Sequence, residues 1–272
     1  MKKTILLLLA GTCFSTATIA QQYEYGPVVS SSKRGLGGSN VRFGVFVAPN
    51  SSWMKPTSNK SDDRQYVVSS EGNKIGFTWG LMMDYYFAEN YGIATGFQLN
   101  TTGGKILAQQ NDDVPPLSVP YVKSADFDYR LQYLELPFNL KLRSDELGSG
   151  TKLFGQIGLS AGINISKKAT YEVTYVETNA AGNETDKTVT GENEKIGGGL
   201  SVAPVNLQMN IGGGIEHPIS EKMSFYVGLF FNNGFLPDAT NPKELKDMGY
   251  KGKFTDGNTR LNNFALRIGL FF

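Results

Sequence analysis

The chain of 272 residues balances 26 Lys and Arg against 25 Asp and Glu and holds one His and one Cys. A charge this near neutrality, with no basic block, offers no nucleic-acid surface, and the one cysteine, Cys13, falls inside the expected N-terminal signal, so the mature chain is expected to have no disulfide or thiol chemistry. No apolar run reaches the roughly 20 residues that carry a helix across a bilayer, so if the chain enters a membrane it does so as strands.

Met1-Lys2-Lys3, the apolar stretch 5–10 and the small-residue site Thr18-Ile19-Ala20 have the form of a secretory signal over residues 1–20, with the mature chain starting at Gln21. Lipid attachment at Cys13 is set aside, because the preceding Thr12 is bulkier than the Gly or Ala such sites carry. Residues 21–40, rich in Ser and Gly, read as a flexible periplasmic leader, and residues 41–272 as the folded domain.

Period-two alternation then marks about eight strands. The first, 41–49, sets Val41, Phe43, Val45 and Val47 on one face; the second, 75–87, sets Ile75, Phe77, Trp79, Leu81, Met83 and Tyr85 against Gly76, Thr78, Gly80 and Asp84. The third, 91–101, opposes Ile93, Phe97 and Leu99 to Gly92, Gln98 and Asn100. The fourth, 127–143, opposes Leu134, Leu136, Phe138, Leu140 and Leu142 to Glu135, Asn139, Lys141 and Arg143. Phe127, Tyr129 and Leu131 above it are on the other phase, which predicts a bulge or an end that protrudes from the membrane.

The fifth strand starts near Lys152 with Leu153, Ile157, Leu159 and Ile163 outward, the sixth covers 202–216 and the seventh 223–231. The eighth, 261–272, alternates without a break and stops on Phe272, read as the signal that the outer-membrane insertion machinery recognises. Short connections such as Ala88-Glu89-Asn90 alternate with the long polar ones, 50–74, 102–126, 166–201 and 232–260. Tight turns on one side and long loops on the other are the pattern of a transmembrane barrel with periplasmic turns. The expected fold is therefore all-β, an antiparallel up-and-down transmembrane barrel of about eight strands in a bacterial outer membrane.

Within the third long connection, Tyr171, Val173 and Tyr175 alternate with polar residues, residues 179–183 form a turn, and Thr185 to Val189 return. Two strands are expected to rise beyond the membrane as a hairpin there, with backbone edges open to an added strand from an envelope or extracellular protein.

The segment Leu131-Gln132-Tyr133-Leu134-Glu135-Leu136-Pro137-Phe138-Asn139-Leu140-Lys141 resembles a strand of the PorT-like outer-membrane β-barrel family, as does Gly103-Gly104-Lys105. That resemblance implies an eight-stranded outer-membrane barrel. The family's namesake is associated with protein secretion, but the resemblance carries over no reaction or ligand.

Chemistry is sparse. His217, the sole imidazole, precedes Pro218 in a periplasmic turn, which leaves a surface hydrolase without its base. No cofactor or metal is expected: Asp62-Asp63 and Asp112-Asp113 read as solvated loop charges, and Gly197-Gly198-Gly199 and Gly212-Gly213-Gly214 lack the Lys-Ser/Thr and helix of a phosphate loop. Trp79, Tyr85, Tyr86, Phe87 and Tyr91 read as interfacial anchors. Eight charges are expected inside, Arg42, Asp84, Glu135, Lys141, Arg143, Lys152, Glu216 and Arg267, forming one salt-bridge network that plugs the lumen.

The expected function is non-enzymatic, with partners in outer-membrane lipid, the insertion machinery and a protein of the envelope or exterior. The rivals are a narrow pore or transporter, a lipid-modifying enzyme, and a soluble secreted barrel that binds an apolar ligand, in which the Leu, Ile and Phe stripes would face inward.

Overall fold

A computed structural model describes residues 40–57, 65–115, 119–195, 202–237 and 258–272. The expected signal and nearly all of the leader, Asp62-Asp63 and Gly197-Gly198-Gly199 lie outside the described residues.

Among the described residues ten strands run in chain order: β1 Val41–Pro56, β2 Tyr66–Ser70, β3 Lys74–Tyr86, β4 Tyr91–Gln110, β5 Tyr121–Arg143, β6 Lys152–Thr178, β7 Glu184–Lys195, β8 Val205–Ser220, β9 Met223–Gly234 and β10 Thr259–Phe271. Eight of them close a ring in the order β4, β3, β1, β10, β9, β8, β6, β5 and back to β4, and every pairing is antiparallel. Closure leaves no strand edge at the level where lipid could not satisfy it. The remaining two continue lines that the ring abandons: β2 pairs with the end of β4 beyond the reach of β3, and β7 pairs with the end of β6 beyond the reach of β8.

Around the ring the hydrocarbon points away from the axis. Phe138 is 63% exposed and Leu229 68%, and Phe43, Trp79, Leu81, Phe97, Leu136, Leu159 and Ile211 are exposed beside them. A band of this kind is stable only in a solvent that is itself hydrocarbon. The soluble barrel with apolar stripes lining its interior is thereby overturned. On the outer surface Trp53 lies 5.5 Å from Phe264, and Phe264 lies 4.9 Å from Phe231, an aromatic patch at the rim opposite the short turns.

Beyond that rim β4, β5 and β6 run on, so much of what reads as long loop is strand. The polarity of the alternation inverts there. Ile106, Ala108, Ala125, Phe127, Tyr129, Leu131, Tyr133, Tyr171 and Val173 are buried together with Met54, Tyr66 and Leu261, while Lys105, Asp126 and Arg130 face out. Phe127, Tyr129 and Leu131 are not out of phase on β5, because odd-numbered residues face inward from Ala125 to Lys141. What changes is the solvent outside, from lipid to water. The irregularity beside them lies on β6, where Gln132 pairs with Ser166 and Tyr133 with Asn164, leaving Ile165 as the extra residue; a second one lies further out on β5, at Lys123.

Gly103-Gly104 sits where this extension meets the ring. Gly103 N–H donates to Ser52 Oγ at 3.0 Å, and a Cβ on Gly104 would fall 2.6 Å from the Met54 nitrogen, so only glycine lets β1 approach β4 so closely.

Candidate functional site

The inward residues stack in three levels, set by strand position. Nearest the short turns, β1 contributes Arg42, β3 Asp84 and Tyr86, β5 Lys141 and Arg143, and β8 Glu216. Arg42 and Asp84 are direct cross-strand partners, so their meeting is local. The Lys141 ammonium reaches much further, to Asp84 Oδ2 at 2.6 Å and to the Glu216 carboxylate, and it is fully buried. Arg42 bridges the same two acids at 2.9 and 3.0 Å, and Arg143 lies 3.7 Å from Glu216. Three cations against two carboxylates leave one positive charge over, and aromatic faces take it up: Arg42 lies 4.3 Å from the Phe271 ring centre and Arg143 3.8 Å from that of Tyr86. Tyr86, read from sequence as an interfacial anchor, therefore faces the lumen, as an even-numbered residue of β3 must.

Above this plug lies a layer of amides. Glu135 accepts from Asn100 Nδ2 at 2.9 Å, from Gln98 Nε2 and from Gln208 Nε2 at 3.5 Å. Asn100 in turn accepts from Thr78 at 2.9 Å and Asn50 at 3.2 Å, and Arg267 donates to Gln98 Oε1 at 3.2 Å. Arg267 thus meets Glu135 through Gln98, with its guanidinium 4.3 Å from the Phe230 ring centre. Replacing Glu135 with Ala would strip an acceptor from these buried amides and is expected to cost about 1–3 kcal/mol, read as a lowered midpoint for loss of heat resistance. An unchanged midpoint would remove Glu135 from the stabilising framework.

The eight charges expected to form one network thus divide. Arg42, Asp84, Lys141, Arg143 and Glu216 come together; Glu135 and Arg267 form the second level; Lys152 belongs to neither. Its ammonium turns to Glu146 in the adjoining turn, at 3.7 Å, because strand β6 begins there at the mouth of the ring. Sequence reasoning set Gln98, Asn100 and Gln208 on the inward face without a part in the interior network, and it missed Tyr86 and Phe271. Their inward parity was available as a signal, but uncharged residues and aromatics on that face were not counted. Gly212 and Gly214 line the same face, where Phe230 packs over Gly212.

In the extension the predicted hairpin forms, with Val173 opposite Val189 and Glu177 opposite Thr185. Tyr171, Val173 and Tyr175 face into its core, so these side chains are withheld from any partner. Burial pushes the Tyr171 hydroxyl up to about 12, helped by its hydrogen bond to Glu194 at 2.9 Å, so it stays a donor. Thr185 and Lys187 on β7 are exposed, and among the described residues β7 pairs with β6 alone. Phe272 is exposed on the lipid-facing side, its N–H bonded to Phe43 O at 2.8 Å.

His217 Nδ1 contacts Thr151 Oγ1 at 2.8 Å on the exposed turn side. Among the described residues no three His, Cys, Asp or Glu side chains converge as a metal site.

The family model described as outer membrane protein beta-barrel domain matches residues 20–204. Among solved structures, Neisserial surface protein A is similar at 11% identity over 87% of this chain and 99% of its own, with a TM-score of 0.38. OprG of Pseudomonas aeruginosa is similar at 12% identity over 85% of this chain and 93% of its own, with a TM-score of 0.37. Ail, the attachment invasion locus protein of Yersinia pestis, is similar at 12% identity over 85% and 97%, with a TM-score of 0.30. No curated protein matches the sequence.

Proposed function

Because the chain belongs to the outer membrane protein beta-barrel domain family and resides in a bacterial outer membrane, we propose that it is a non-enzymatic barrel that receives a protein partner on the free edge of β7. The observation that carries this reading is the position of β7. It stands beyond the ring, paired on one side to β6, with exposed backbone and a Thr-rich and charged face. Such an edge accepts an added strand through main-chain hydrogen bonds. The PorT-like character of residues 131–141 supports an accessory role in secretion or envelope assembly. Residues 1–20 act as the secretory signal in this reading, with 21–40 as a periplasmic leader.

A proline scan along residues 185–190 tests it, with affinity capture from intact envelopes as the readout. Strand addition uses every second N–H, so capture should be lost at alternate positions while heat resistance of the ring persists. Capture that is unaffected everywhere, or lost evenly, would sink the idea.

The charged plug and the amide layer argue against a conduction path, since a ring of about eight strands is filled by its own side chains. In planar bilayers the purified protein is expected to hold the current at the bare-membrane level. Steady single-channel steps would replace this reading with that of a pore.

A further inference from the structure

Where β3 begins, at the rim opposite the short turns, a cleft of about 570 Å³ opens on the outer wall. Ile75 and Phe77 form an apolar lip continuous with the lipid-facing band, and Lys74, Asp128, Arg130 and Thr170 form the polar side. Asp128 is already engaged: it pairs with Lys74, and Lys105 Nζ lies 4.0 Å from it. Arg130 has no ion pair among the described residues.

Register extends the positive charge sideways. Arg130 stands directly opposite Lys168 on β6, and Lys168 directly opposite Lys195 on β7. Arg130 and Lys195 are exposed and Lys168 is half-buried, and neither lysine has an ion pair among the described residues. Like charges placed directly opposite across strands repel. Three in a row therefore weaken the sheet unless an anion lies over them.

The height of the row indicates which anion. On β5 the apolar positions end at Leu134, and Gln132 and then Arg130 follow on the same outward side; on β6 Ile165 is the last exposed apolar residue before Lys168. The cations thus stand just above the hydrocarbon boundary of the outer leaflet, at the depth of lipid headgroup phosphates. A lipid whose headgroup carries phosphate would present its anions at that depth. We infer that Arg130, Lys168 and Lys195, with the adjoining cleft, form a seat for the phosphorylated headgroup of an outer-leaflet glycolipid. The acyl chains lie along Ile75 and Phe77, and the Arg130 guanidinium presents its paired N–H groups to a phosphate.

The test uses the intact barrel in mild detergent, with glycolipid binding measured by native mass spectrometry. The native glycolipid should bind on the order of a hundredfold more tightly than the same lipid stripped of its phosphates. Replacing Arg130→Gln, Lys168→Gln and Lys195→Gln together should erase that preference, whereas Lys55→Gln with Arg260→Gln, a basic pair on β1 and β10, should leave it intact. Retained heat resistance establishes that the variants fold, and the comparison of the two lipids on the unaltered protein needs no variant. Equal binding of the dephosphorylated lipid, or a preference that survives the triple substitution, would overturn the assignment. Displacement of the lipid by inorganic phosphate at matching concentration would reduce the site to a simple anion site and also overturn it.

Discussion

Substituting Lys141 with Met should lower the stability of the folded barrel by about 3–5 kcal/mol, because it leaves two buried carboxylates short of their central cation. From its seat on β5, Lys141 Nζ spans from Asp84 on β3 to Glu216 on β8. Arg42 would still contact both acids, but from one side and with part of its charge directed to Phe271. The readout is the denaturant or temperature midpoint at which the compact electrophoretic form is lost. Neutralising the acids as well, with Asp84→Asn and Glu216→Gln in the Lys141→Met background, should deepen the loss rather than recover it, since Arg42 and Arg143 would then be buried without a carboxylate. A single variant that melts with the unaltered protein would show that the plug does not hold the ring.

Phe127→Ala is expected to cost a comparable 3–5 kcal/mol, approximately the range for emptying a buried Phe site, but in a different part of the molecule. Phe127 is fully buried in the extension, with ring centres 5.7 Å from Tyr129 and 6.2 Å from Tyr171. Its cluster is separate from the one around Phe154, Tyr226 and Phe271 inside the ring. The hydrogen-bonded amides lie between the two. Loss of packing at Phe127 should therefore loosen β5, β6 and β7 beyond the rim while the ring keeps its heat resistance. Limited proteolysis separates the two effects: new cleavage within residues 170–195 with an intact barrel fragment is the expected pattern. Concerted loss of both would mean that extension and ring fold as one unit.

The contrast between these two sites also shows how far residues alone could lead. Leu134 to Leu142 alternate so regularly with Glu135, Asn139 and Lys141 that face assignment followed from period two, and the rule of short turns against long loops identified the side from which the hairpin rises. Grouping Glu135 with Lys141 failed for a reason already present in the spacing. Six residues along one strand are about 20 Å, too far for two side chains to share a cluster. Which charges meet across the lumen depends on stagger between strands, as when Lys141 reaches Glu216 past β6. The apolar upper interior reads as a change of phase when outward hydrocarbon is taken as the rule throughout, but the alternative of a protruding end holds: Phe127 and Tyr171 lie where water surrounds the wall.

The order of apolar and polar residues was enough by itself to determine a closed antiparallel ring in lipid, because side chains alternate between faces with a period of two and each face tolerates only one kind of solvent. Only the tertiary structure decided the three levels of the interior and the row of Arg130, Lys168 and Lys195. Each depends on which residues of different strands stand opposite one another. That register is a property of pairing across the sheet, which no single strand records.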